Sequence, residues 1–140
     1  VSFHGAAQHT IDAKGRVFLP AKFRPQLAVG LVVTAGPGGR LWIFDLPSWE
    51  PFVERLNQMR RDGKVDPDAA GMVIELAHDT TADAQGRILL PEVLRDYAKL
   101  ERDAAFVGQG DRIDVWPATV WERRHQTGTQ HLREMTDFPA

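Results

Sequence analysis

Apolar residues along this chain gather in short runs bounded by glycine, proline and charged stretches. Val17-Phe18-Leu19, Leu31-Val32-Val33-Thr34 and Leu41-Trp42-Ile43-Phe44 are β-prone and predict three strands. A second set, Ile88-Leu89-Leu90, Ala104-Ala105-Phe106-Val107 and Ile113-Asp114-Val115-Trp116, predicts three more. Gly36-Pro37-Gly38-Gly39-Arg40 and Gly108-Gln109-Gly110-Asp111-Arg112 separate the later strands of each set and have the composition of hairpin turns. Helical spacing follows each set. Trp49, Phe52, Val53, Leu56 and Met59 share one face of a helix that Ser48 would cap, with Pro51 in its first turn and Gly63 as its stop. Asp66 and Pro67 predict the cap and first position of another helix, with Ala69, Met72, Val73, Leu76 and Ala77 at helical spacing. A third, more polar helix is expected from Ala118 to about Met135.

The two strand sets are copies of each other. Asp12-Ala13-Lys14-Gly15-Arg16-Val17-Phe18-Leu19-Pro20 returns as Asp83-Ala84-Gln85-Gly86-Arg87-Ile88-Leu89-Leu90-Pro91. Phe23-Arg24 is answered by Leu94-Arg95 at the same offset. After a slip of one residue, Gly36, Arg40-Leu41 and Trp49-Glu50 are answered by Gly108, Arg112-Ile113 and Trp121-Glu122. The repeating unit is a strand, a short helix, two strands and a longer helix, which is a whole supersecondary fold rather than a solenoid turn. The helix after Asp66 has no counterpart and is expected to connect the halves and set how they sit. The expected organisation is a first unit over 3–50, a helical connector over 51–79, a second unit over 80–125 and a helical tail over 126–140.

Composition narrows the picture further. The length of 140 residues suits one ordinary domain or two small ones, and the duplication argues for halves with modest cores that lean on each other or on other subunits. With no cysteine, disulfides and thiolate metal sites are excluded, and a cytoplasmic location is expected. No apolar run approaches the roughly 20 residues of a membrane span, and Val1-Ser2-Phe3-His4-Gly5 lacks the charged start and apolar core of a secretory leader. The formal net charge of −2 argues weakly against nucleic-acid binding, but Lys14, Arg16, Lys22 and Arg24 make the first motif locally positive.

The repeated motif carries the candidate chemistry. Arginine presents a planar fork of donors that matches a phosphate or the O6/N7 edge of guanine, so Arg16 and Arg87 can each position or specify. Gly15 and Gly86 permit a tight turn that presents them. A carboxylate faces phosphate unfavourably, so Asp12 and Asp83 are expected to hold the loop by accepting backbone N–H bonds or orienting the arginine. Lys14 adds a point charge for the DNA backbone. From these residues alone, a structural Asp–Arg pair and a DNA-reading arginine both remain open.

Other features point away from a small-molecule site. The 36–40 glycine cluster lacks the Gly-Lys-Ser/Thr end of a phosphate-binding loop. The histidines at 4, 9, 78, 125 and 131 show no metal-ligand spacing, so neither metal nor cofactor is expected. Ser2 and Ser48, the only serines, sit in no nucleophile elbow, and no hydrolase is expected. Trp42, Trp49, Trp116 and Trp121 align as two pairs across the repeat, which suits packing better than a stacking platform for single strands.

Phe3-His4-Gly5, both Asp-x-x-x-Arg motifs with their trailing prolines, the spacer helices, and the run from Val107-Gly108-Gln109 through Val115-Trp116 resemble the MraZ family of bacterial transcriptional regulators. Chains of that family carry two AbrB-like units. The resemblance implies an α+β fold of two pseudo-symmetric swapped-hairpin-type β units flanked by helices. It further implies assembly into a homo-oligomeric ring, no enzyme activity, and a cytoplasmic, nucleoid-associated role on double-stranded DNA. The implied target is a set of short repeats upstream of the division and cell-wall gene cluster, contacted by the motif arginines Arg16 and Arg87. The departures are small: Gln85 stands opposite Lys14, and Pro25 breaks a helix that runs on in the second copy as Asp96-Tyr97-Ala98. An oligomerisation or protein-partner-binding module of AbrB type is the alternative reading.

Overall fold

The computed structural model describes residues 2–139. Its strands are β1 (Ala6–Thr10), β2 (Arg16–Phe18), β3 (Leu31–Ala35), β4 (Leu41–Asp45), β5 (His78–Thr80), β6 (Arg87–Leu89), β7 (Asp103–Gly108) and β8 (Ile113–Pro117). Four α-helices complete an α+β fold: α1 (Leu46–Arg61), α2 (Pro67–Glu75), α3 (Glu92–Ala98) and α4 (Ala118–Glu134). None is long and apolar enough to cross a membrane.

Six strands form one antiparallel sheet in the order β1-β7-β8-β4-β3-β5, and β2 pairs with β6 in a separate antiparallel ribbon. The order is a near-palindrome in repeat equivalents, with β8 beside β4 at its centre. The two repeats are interlaced rather than set side by side. β1 of the first repeat pairs with β7 of the second, and β5 of the second pairs with β3 of the first. The alternation of side chains explains the unbroken apolar runs in the sequence. Leu41 and Ile43 of β4 face one core cluster while Phe44 and the half-buried Trp42 face another, so the central strands are covered on both sides.

The first cluster joins both repeats, with Val17, Leu19, Phe23 and Leu31 packed together with Ile88, Leu90, Leu94 and Phe106. The second lies under α1 and α2, where Phe44, Phe52, Leu56 and Ala70 are buried and Trp49 and Val73 pack against them. Phe44 stacks on Phe52 with ring centroids 4.6 Å apart, and Trp42 meets Phe52 edge-on at 5.6 Å. Trp116 is buried, and Arg40 and Arg124 lie over its ring at 4.5 and 4.4 Å. Trp42, Trp49 and Trp116 therefore pack the body of the protein, whereas Trp121 is half-buried on α4 beside His125.

Several local expectations are corrected. Asp45, not Ser48, caps α1: its carboxylate accepts the Ser48 N–H at 3.1 Å, and the helix starts at Leu46. Ser48 supplies the donor because extended backbone at Asp45 places the carboxylate over the first turn. Pro51 consequently lies in the second turn, where it has no N–H to offer the preceding turn. On α2, Asp66 and Pro67 cap and open the helix as expected, and the Asp66 carboxylate accepts the Ala69 N–H at 2.8 Å. Its buried residue is Ala70, however, while Ala69 and Met72 are exposed. Apolar residues nearly encircle this helix, so spacing alone did not single out the face that α1 and β3 cover. Pro25 has the expected effect: two 3-10 turns, Ala21–Phe23 and Pro25–Leu27, stand where the second repeat has α3.

Candidate nucleic-acid interface

Each Asp-x-x-x-Arg motif folds into a closed turn at one end of the β2–β6 ribbon. In the first, one carboxylate oxygen of Asp12 accepts the backbone N–H groups of Lys14 and Arg16 at 3.0 and 2.8 Å, and the other accepts Nε of Arg16 at 2.8 Å. The Gly15 N–H donates to the Asp12 carbonyl at 3.0 Å, and the Asp12 N–H to the Arg16 carbonyl at 2.9 Å. The second motif repeats this arrangement. Asp83 accepts the N–H groups of Gln85 and Arg87 and the Arg87 Nε, each at 2.9 Å. The aspartates thus hold both the loop and the arginine.

Both carboxylates are held below the usual aspartate pKa. The largest cause is the backbone hydrogen bond from Arg16 or Arg87; partial desolvation opposes it, and the arginine side chain and a second backbone N–H add to it. They stay ionised at neutral pH, so each motif presents a neutralised Asp–Arg pair rather than a bare cation. Arg16 and Arg87 keep 36% and 24% of their side-chain surface exposed. Among the described residues, Nε is the one guanidinium nitrogen of each that makes a hydrogen bond within the chain. The two Nη groups remain as an outward fork.

Gly15 and Gly86 are required twice over. Their φ values are +86° and +88°, in the left-handed region. A Cβ on Gly15 would also lie 2.9 Å from the guanidinium of Arg95, and one on Gly86 would lie 2.8 Å from that of Arg24. These two arginines are structural neighbours of the motif turns that motif reasoning did not single out, although the repeat of Phe23-Arg24 in Leu94-Arg95 was the available signal. Arg95 Nε donates to the Leu90 carbonyl at 2.9 Å, and the Leu90 N–H donates to the Gly15 carbonyl at 2.9 Å. Arg24 Nε donates to the Leu19 carbonyl at 2.8 Å, and the Leu19 N–H to the Gly86 carbonyl at 2.9 Å. Each turn is therefore braced from the opposite repeat.

The ribbon brings the two motifs onto one surface. Arg16 lies across from Leu89, and Phe18 across from Arg87, while the Val17–Ile88 pair between them is buried. Alternation puts Arg16, Phe18, Arg87 and Leu89 on the outer face together. Lys14 is exposed at the end of its turn, where the second motif offers Gln85.

The family model described as "MraZ protein, putative antitoxin-like" matches residues 2–69 and 74–137, one stretch for each repeat. Similar proteins include the transcriptional regulator MraZ of Pelotomaculum thermopropionicum, 39% identical over 138 residues that cover 96% of this chain and 93% of that protein. Transcriptional regulator MraZ of Caldanaerobacter subterraneus subsp. tengcongensis is 35% identical over 133 residues, covering 95% of this chain and 93% of its own. The same-named protein of Thiobacillus denitrificans is 36% identical over 124 residues, covering 86% and 84%. With both repeats matched and such relatives aligned over most of their length, the chain belongs to the MraZ family.

Proposed function

We propose that this chain is a DNA-binding transcriptional regulator that reads short repeats upstream of a division and cell-wall gene cluster, contacting them through Arg16 and Arg87 with Lys14 on the phosphates. The observation that carries the reading is the pair of outward guanidinium forks. Each is fixed by its aspartate through Nε and leaves both Nη groups for a guanine edge or a phosphate. A purely structural ion pair has no need of that arrangement on a shared ribbon face. The transcriptional-regulator names of relatives aligned over most of the chain support the same reading.

The active form we propose is a homo-oligomeric ring. A single subunit with net charge −2 offers few cationic contacts, whereas linked subunits convert later contacts into intramolecular ones and raise avidity by a factor of about 100 or more. A footprint of the purified protein on the region upstream of its own gene defines the element. Mobility-shift titrations then compare fragments bearing one repeat with fragments bearing two or three. Tandem repeats are expected to bind far more tightly, with affinity falling steeply as salt rises. Equal affinity for single and tandem repeats, or a monomer by light scattering at binding concentrations, favours the partner-binding module instead.

A further inference from the structure

The outer face of the β2–β6 ribbon carries two large apolar side chains that the fold does not use. Phe18 is 41% exposed and Leu89 is 52% exposed, although the residues beside them, Val17 and Ile88, are each 1% exposed and fill the core. Single exposed apolar residues are ordinary on protein surfaces. These two differ in being the same motif position in each repeat, so the exposure occurs twice under one local geometry. A solvent-facing ribbon position accepts threonine, a good strand former, and neither repeat has one there.

Their placement says what would cover them. Each apolar side chain stands directly across the ribbon from an arginine, Leu89 opposite Arg16 and Phe18 opposite Arg87. The four side chains occupy the corners of a patch about 5 by 7 Å at the backbone, with the arginines on one diagonal and the apolar residues on the other. An apolar protein surface laid over this patch would bury two guanidinium forks without acceptors, which is strongly unfavourable. The major groove of DNA answers both kinds of side chain at once. It is about 12 Å wide, admits a two-stranded ribbon, and presents guanine acceptors beside the 5-methyl groups of thymine.

We infer that Phe18 and Leu89 are specificity-determining residues that pack on thymine 5-methyl groups while Arg16 and Arg87 engage guanines within about two base-pair steps. The inference rests on the DNA-binding reading given above and deepens it. It places a G·C pair and an A·T pair close together in the recognised element, and it assigns part of the discrimination to apolar contact rather than to charge.

The test deletes the methyl on one side and the side chain on the other. The full-length protein is titrated against the footprinted upstream fragment, synthesised once with thymine and once with deoxyuridine, which lacks only the methyl. Wild type is expected to bind the deoxyuridine fragment about fourfold more weakly for each methyl contacted. Phe18→Ala and Leu89→Ala should each weaken binding to the thymine fragment by a similar factor and each lose one methyl's share of the response to deoxyuridine, and the double variant should respond little to the exchange, the non-additivity that direct contact produces. Equal losses on both fragments would overturn the inference, as would a changed subunit number by light scattering in Phe18→Ser or Leu89→Ser, since the face would then join protein to protein. Wild type that ignores the methyl while Arg16→Ala loses both fragments removes this inference alone. A wild-type protein that leaves no footprint on the upstream region removes the DNA-binding reading with it.

Discussion

At the scale of single residues, Arg16 and Asp12 divide one task. Arg16→Ala deletes an outward fork whose loss should abolish specific DNA binding, while oligomer size and melting stay close to wild type because the ion pair it breaks is exposed on both sides. Mobility shift beside size exclusion checks this, and collapse of the oligomer would make Arg16 a brace instead of a reader. Asp12→Ala should act differently, lowering both melting temperature and affinity, because three donors lose their acceptor and the loop loses its shape. Gly15→Ala forces an L side chain to φ +86° and pushes the Arg95 guanidinium aside, so a loss of about 2 kcal/mol or more is expected. Gly39 supplies the control: its φ is +87° and a Cβ added there would meet no atom within 4 Å, so Gly39→Ala should cost only the backbone strain, about 1–2 kcal/mol. Equal melting shifts in the two variants would show that Arg95 yields freely.

At the scale of elements, the motif turns belong to the ribbon and not to the repeat that encodes them. Arg95 in α3 leans on Gly15, and Arg24 after the Ala21–Phe23 turn leans on Gly86. Arg95→Ala should therefore speed amide hydrogen exchange at Gly15, and Arg24→Ala at Gly86, each in the opposite repeat. Faster exchange confined to the mutated repeat would refute the crossed bracing. The strands that create this crossing were the hardest to see in the sequence. β1 is Ala6-Ala7-Gln8-His9-Thr10 with no fully buried residue, and β5 is three residues long with Asp79 at its centre. Neither has a run of apolar side chains to declare it, because an edge strand gains its place by backbone pairing. The start of α1 was displaced for a related reason: Asp45 and Ser48 are both competent caps, and the end of β4 decided between them.

At the scale of the whole molecule, charge and pH act through the same turns. Asp12 and Asp83 have folded pKa values below the unfolded value of about 3.9, so the unfolded chain binds more protons in the interval between them. Their stabilisation is complete above the unfolded pKa and is lost as the pH falls through the folded values. Melting temperature should thus be flat on this account near neutrality and decline below about pH 4, and the decline should shrink in Asp12→Asn/Asp83→Asn. Asp111, held low mainly by its hydrogen bond from Arg112, contributes to the same acid limb and stays as a residual slope in that double variant. A double variant with an unchanged acid limb would show that the motif carboxylates are not coupled to folding.

The sequence by itself determined the duplication, the six apolar strands, the Asp66 cap, the break at Pro25, and the Asp-x-x-x-Arg motifs that place the chain in its family. Each of these is written in residues close together in the chain, where propensity, periodicity and turn chemistry act. It did not determine which repeat's strands pair with which. In a duplicated chain, β1 has a chemically similar partner in either half, β3 in its own repeat and β7 in the other, and local pattern does not separate them. The tertiary structure chose the crossed pairing, joined Val17 and Ile88 in one core, and turned the two arginines onto a common face. That choice rests on register, loop reach and the burial of a shared core, which are properties of the assembled chain rather than of any segment.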